Sequence, residues 1–188
     1  MSTVTFTVGS PLWYTSRAAG VVSLVLLTGV VLLGVLHRSG RPLPGLQRFV
    51  IAGLHRNISL LALVFLALHI LTAVTDSFVP IRLADAVVPF ISAYHPVWVG
   101  LGAVALDLLL ALVVTSLLRF RIGRRTWRGV HWAGYAVWPV AVAHGLGNGT
   151  DLGHGWLLLL TIACCAAVGL AMLWRWSATW SVQPAVRR

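Results

Sequence analysis

The strongest constraint on the fold is a series of long apolar stretches. Five stretches of the 188-residue chain are long enough to cross about 30 Å of hydrocarbon. A backbone that crosses lipid must satisfy its hydrogen bonds internally, so each stretch is predicted to be a helix. We therefore expect an all-α integral membrane protein with a five-helix transmembrane bundle. Its predicted spans cover residues 18–36, 57–75, 97–118, 130–146 and 155–173.

The predicted domain organisation follows from these spans. Residues 1–17 form an N-terminal segment, residues 18–175 the transmembrane domain and residues 176–188 a short tail. Hydrophobic residues make up 59% of the chain and charged residues only 10%, which excludes an ordinary soluble domain. The net charge of +10 does not indicate a nucleic-acid partner, because the arginines lie between apolar segments rather than on one soluble face.

The arginines instead predict the orientation in the membrane. Twelve of the 14 basic residues, all of them arginine, lie on one side of the predicted spans, and only Arg17 and Arg82 lie on the other. Positively charged loops stay in the cytoplasm. The N-terminus is therefore predicted outside and the C-terminus inside, in a multi-pass protein of the plasma membrane.

Four histidines in or beside the predicted spans are the main candidates for function. His55, just before the second span, is 14 residues from His69 within it, and His131 and His144 are 13 apart on the fourth. Ionisable side chains inside a membrane are usually functional. Both spans run from inside to outside, so His55 and His131 share the inner depth, and His69 and His144 the outer depth.

The two spacings place their histidines at different angles around the helix axis. At about 100° per residue, a spacing of 14 returns to within about 40° of the starting face. A spacing of 13 leaves an offset of about 140°, and we expect Pro139 to kink the helix and change this angle. Ligation of iron by two histidines leaves no open position, which suits electron transfer. Zinc is disfavoured because two histidines on one helix are too far apart to share an ion.

The residues around these histidines resemble the ferric reductase-like transmembrane domain family, which includes the membrane part of NADPH oxidases. The resemblance spans roughly residues 12–175. Thirteen residues lie between the first two histidines and twelve between the second two. The supporting motifs are Ser16-Arg17-Ala18-Ala19-Gly20, Leu54-His55-Arg56 and Trp127-Arg128-Gly129-Val130-His131-Trp132.

The resemblance implies a di-haem b-type membrane cytochrome with two b-type haems. The inner haem iron would be held by His55 and His131, and the outer one by His69 and His144. Arg56 and Arg128, beside the inner ligands, would bind haem propionates. Electrons would pass from a cytoplasmic donor to an external acceptor, so the chain would be a ferric reductase-like oxidoreductase component.

The donor is expected to be a separate protein. Only about a dozen residues follow Trp176, and the chain has no glycine-rich dinucleotide motif, so we expect no FAD or NADPH site in it. A separate cytoplasmic flavin reductase or another electron donor is therefore the expected partner.

Two alternatives remain open at this point. One is a haem subunit that passes electrons between a quinone or flavoprotein and a periplasmic reductase. The other is a small transporter or structural membrane protein without haem, in which Asp107 and the histidines form a proton or metal path. The sequence assigns no role to His95 or His154, and it does not give the oligomeric state.

Overall fold

The computed structural model describes residues 10–39, 47–149 and 155–179, and all secondary structure in these ranges is helical. Eight helices are described there: α1 Pro11–Ser39, α2 Arg48–Thr75, α3 Leu83–Val87, α4 Pro96–Leu117, α5 Arg119–Ile122, α6 Arg124–Trp132, α7 Gly134–Asn148 and α8 Gly155–Thr179. Within the described ranges, α1, α2, α4 and α8 are long and apolar enough to cross a membrane. The chain is thus an all-α membrane protein, as predicted.

The contacts divide the chain into two compact units. The first contains the described residues up to Leu24 together with Leu63–Gly149, and the second contains Val25–Ala62 together with the described residues of α8. The first unit therefore holds His69, His131 and His144, and the second holds His55.

The helices begin earlier than the apolar stretches suggested. Helix α1 begins at Pro11 rather than near residue 18, and α2 begins at Arg48 rather than near residue 57. Their first turns contain polar residues, which a helix can present to water or to lipid headgroups while the apolar part lies in hydrocarbon. His55 consequently lies well inside α2 rather than at its start.

The predicted fourth span is not a single helix, which corrects the expectation for residues 130–146. Helix α6 ends at Trp132 and α7 begins at Gly134. Around Ala133 the backbone forms tighter bonds, from Ala133 N–H to the Val130 carbonyl and from Ala136 N–H to the Ala133 carbonyl, both 2.9 Å. The arginine-rich α6 is too polar to extend the apolar run. The 15 residues of α7 cover only about 22 Å at about 1.5 Å per residue.

The tight turn at Ala133 affects the relative orientation of His131 and His144, which are 13 residues apart. Residues in a 3₁₀ turn advance by about 120° rather than about 100°. The additional twist reduces the offset predicted between His131 and His144. Pro139 lies inside α7 without ending it, so the break is at Ala133 and not at the proline.

The connection between α2 and α4 is ordered by two buried carboxylates. Asp76 accepts hydrogen bonds from the Ser10 hydroxyl at 2.7 Å and from the Phe78 N–H at 3.1 Å. Asp85, on α3, is 1% exposed and accepts from the Arg82 guanidinium at 2.9 Å and from the Arg82 backbone N–H at 2.9 Å. The connection is therefore a folded element that covers one end of α4.

The Arg82–Asp85 pair predicts a pH dependence of stability. The side-chain hydrogen bond from Arg82, and then its backbone N–H, hold the pKa of Asp85 below its usual range. Because the native pKa is lower than the unfolded one, the ionised carboxylate stabilises the fold fully above about pH 4. That stabilisation is lost as the pH falls through the lower native pKa. The substitution Asp85→Asn is expected to lower the melting temperature at neutral pH and to flatten its decline below about pH 4.

Thermal melting in detergent between pH 3 and pH 7 measures this effect. Arg82→Gln should shift the acid decline to higher pH, whereas Arg121→Gln, which changes an exposed arginine of α5, serves as the control. An acid decline of unchanged size in Asp85→Asn would contradict the assignment.

Candidate functional site

His69 is held by helix α1 through a specific hydrogen bond. Its Nδ1 lies 2.7 Å from the backbone carbonyl oxygen of Ser16. Because a carbonyl can only accept, Nδ1 carries the proton and Nε2 keeps its lone pair. The buried Ser16 hydroxyl donates in turn to the His69 carbonyl at 3.0 Å. The ring is therefore fixed in the tautomer that can bind a metal through Nε2.

His144 has the same arrangement on a different pair of helices. Its Nδ1 lies 2.8 Å from the carbonyl oxygen of Trp98 on α4. One turn later, the Asn148 amide donates to the His144 carbonyl at 3.3 Å. The Asn148 Oδ1 is buried and has no hydrogen-bond partner within the described part of the chain. The same amide lies against the ring, with its Nδ2 3.3 Å from the His144 Nδ1.

His55 repeats the arrangement within the second unit. Its Nδ1 lies 3.0 Å from the Val30 carbonyl oxygen on α1, and the Ser59 hydroxyl donates to the His55 carbonyl at 2.6 Å. Three of the four predicted ligands thus have their Nδ1 directed at a main-chain carbonyl of a neighbouring helix. Metal-binding histidines commonly have such a partner, which fixes the ring and increases its basicity.

His131 has different surroundings. Its side chain is exposed, and its ring stacks on Trp127 with 4.9 Å between the ring centroids. The Trp127 indole N–H donates to the Ser116 hydroxyl of α4 at 3.3 Å. The stack fixes His131 near the end of α6, immediately before the break at Ala133.

The structure brings the predicted outer pair together. The ring centroids of His69 and His144 are 6.2 Å apart, and the ring planes are nearly perpendicular at 84°. A metal ion bonds to an imidazole nitrogen at about 2 Å, and the nitrogen is about 1 Å from its ring centre, which gives roughly 6 Å between two rings that share one ion. The separation therefore fits one metal atom between the two histidines.

Helices α2 and α4 also form an apolar cleft. A cleft of about 300 Å³ lies between α2 and α4, and Leu66, one turn before His69, is part of its wall. Every lining side chain is apolar: Leu63, Leu66, Ala67, Ile70, Leu71, Leu106 and Leu110. Neither His69 nor His144 lines this cleft, so it shows only that α2 and α4 present apolar surface in this region.

The inner residues remain predictions. His55 and His131 belong to the two different units. Arg56 and Arg128 are both exposed, on α2 and α6 respectively, where they can interact with anionic groups. Within the described ranges, no three His, Cys, Asp or Glu residues form a cluster that could hold a metal ion. His154 lies outside those ranges.

Sequence reasoning identified the histidines but missed the groups that orient them. The partners are main-chain carbonyls of Ser16, Val30 and Trp98. Every residue has such a carbonyl, so the residue type does not show which one accepts a hydrogen bond. Asn148 was also missed, although it lies one helical turn after His144 and a polar residue there is unusual. His95, to which the sequence assigns no role, is exposed and stacks on Tyr94.

The chain was compared with known families, curated proteins and solved structures. The family model described as "Ferric reductase like transmembrane component" matches residues 19–142. The matched range contains His55, His69 and His131 and ends two residues before His144. No curated protein matches, and no solved structure matches.

Proposed function

Because the chain belongs to the ferric reductase-like transmembrane family, we propose that it is a di-haem b-type membrane cytochrome. Domains of this family generally bind haem and serve electron transfer in a membrane. The proposal assigns the outer haem to His69 and His144, and the inner haem to His55 and His131. A haem with two histidine ligands supplies one-electron redox chemistry without an open site for oxygen.

One observation carries the proposal. The rings of His69 and His144 lie 6.2 Å apart with nearly perpendicular planes, and the Nδ1 of each ring lies within hydrogen-bond distance of a main-chain carbonyl. In the tautomer set by these contacts, Nε2 is the atom of each ring that can bind a metal. The separation of the rings suits one iron atom shared by the two histidines. The same Nδ1 contact at His55 supports a ligand role for that residue also.

The residues of the chain have three tasks in this scheme. The histidines fix the iron positions, and the carbonyl contacts increase the basicity of the ligands, which favours the ferric state. The apolar spans α2 and α4, which carry His69 and the carbonyl partner of His144, keep the outer pair in surroundings of low dielectric constant. Arg56 and Arg128 are proposed to neutralise haem propionates, which are anions at the membrane surface.

The proposed direction of transfer follows from the arginine distribution. With the N-terminus outside and the C-terminus in the cytoplasm of a plasma membrane, His55 and His131 lie on the donor side. We propose that α6 and α7 together make the fourth of five crossings, with the arginine-rich α6 at the cytoplasmic surface. A separate flavin reductase supplies electrons there, and an external acceptor such as a ferric chelate receives them.

Proteoliposomes can test this function. A soluble flavin reductase and NADPH are trapped inside, and a ferric chelate with a ferrous-specific indicator is added outside. The purified chain should give ferrous iron well above the rate of protein-free vesicles, and His69→Ala should return the rate to that background. His95→Ala, which changes an exposed histidine, is the matched control. Equal rates with and without the protein would refute transmembrane electron transfer.

A further inference from the structure

A glycine accompanies every carbonyl that holds one of the three docked histidines. In each case the glycine stands four residues after the residue that provides the carbonyl. The pairs are Ser16 with Gly20, Val30 with Gly34, and Trp98 with Gly102. The two docking points on α1 are 14 residues apart, the same separation as His55 and His69 on α2. The recurrence in both helix pairs indicates a common physical cause.

The cause lies in the geometry of the helix. A carbonyl at position i already accepts from the N–H at i+4, and its second lone pair remains available to another donor. The Cα–Cβ bond of residue i+4 is tilted toward the helix N-terminus, so its side chain covers the turn that contains this carbonyl. Glycine leaves the turn uncovered. An imidazole from a neighbouring helix then has room to approach and donate to the second lone pair.

The available space differs at the three glycines. A Cβ atom added to Gly102 would lie 2.6 Å from both Cε1 and Nδ1 of His144, which no real structure tolerates. A Cβ added to Gly20 would lie 3.1 Å from the same two atoms of His69, so that ring would have to move slightly. At Gly34 the nearest atom of His55 is 3.6 Å away, an ordinary contact.

We propose that Gly102 and Gly20 are positioning residues for the outer haem ligands, and that Gly102 is the more stringent of the two. The inference rests on the proposed function, since it concerns how this chain aims Nε2 at an iron atom. An added methyl group at Gly102 turns the His144 ring away from the Trp98 carbonyl. The ring then loses both its Nδ1 hydrogen bond and its alignment with His69.

Three alanine variants test the proposal through haem content and reduction potential. Gly102→Ala should lose most of the outer haem. Gly20→Ala should keep more of it, with a more positive midpoint potential because the ligand is less basic. Gly34→Ala should match the wild type in both measurements. Gly145→Ala and Gly169→Ala are the controls, since a Cβ at either position meets nothing within 4 Å.

A double-mutant cycle keeps the test valid even if Gly102→Ala folds poorly. Melting temperature is compared for Gly102→Ala alone, His144→Ala alone and the two combined. If the ring is the obstacle, Gly102→Ala lowers the melting temperature in the wild type but not in the His144→Ala background. An equal loss in both backgrounds overturns the proposal, because the methyl group would then clash with something other than His144.

The outcomes separate this proposal from the proposed function. If the wild type binds haem and Gly102→Ala behaves like Gly145→Ala, the positioning role is wrong and the cytochrome assignment stands. If the wild type contains no haem, the cytochrome assignment is wrong and the role toward the iron atom falls with it. Both the positioning role and the cytochrome assignment are supported if the loss of outer haem decreases from Gly102→Ala to Gly20→Ala to Gly34→Ala. They also require that Gly102→Ala lowers the melting temperature only when His144 is present.

Discussion

Replacing His144 with alanine is expected to remove about half of the haem from the purified protein, because His144 is proposed to hold one of two haems together with His69. The His144 ring is held by the Trp98 carbonyl at 2.8 Å and lies 6.2 Å from His69. Alanine supplies neither a ligand nor a donor to that carbonyl. His69→Ala should remove the same haem, because it breaks the same pair from the other side.

Reduced-minus-oxidised spectra with a potentiometric titration measure this loss. Both variants should lose the same titration component and retain the other. His95→Ala should keep both components, since His95 is exposed and stacks only on Tyr94 among the ring contacts described. The pairing is wrong if the two variants lose different components, or if neither loses any.

An alanine inserted between Val140 and Ala141 is expected to abolish the outer haem as completely as His144→Ala. One additional residue rotates everything after it by about 100° and moves it by about 1.5 Å along the helix. The His144 ring would then face away from the Trp98 carbonyl and from His69. The spacing of 13 residues between His131 and His144 is thus predicted to be as important as the histidines themselves.

The matched control for this insertion is an alanine placed between Gly149 and Thr150, after the end of α7. It lengthens the chain by the same residue but leaves His144 in its place. Haem content per chain, measured as the pyridine haemochrome, distinguishes the two insertions. Normal haem content after the insertion between Val140 and Ala141 would mean that His144 can rotate around the axis of α7 without losing haem. That result would contradict the rigid docking of His144.

Much of the architecture could be predicted from composition because lipid allows few solutions. Apolar stretches of the required length had to be helices, and the histidines within them had to be unusual. The family could be inferred from the histidine spacing and the motifs around it, and the family match over residues 19–142 confirms it. These features are properties of single helices, which a sequence displays directly.

The details that were missed depend on contacts between helices. The break at Ala133 was missed because hydropathy alone does not register a tight turn between two helical segments. The carbonyl partners of His69 and His144 belong to the main chain, so they cannot be recognised from the residue type. Gly20 and Gly102 could have been noticed as small residues, but only the structure shows which ring each one admits.

The ratio of haem to protein chain in the purified wild type decides whether this chain is a di-haem cytochrome. We expect about two b-type haems per chain, both low-spin, because each iron is proposed to be held by two histidines. The pyridine haemochrome gives the number of haems, and amino-acid analysis of the same sample gives the chain concentration. A folded protein that is colourless, even when it is expressed with ample haem, would show that the chain is not a haem protein.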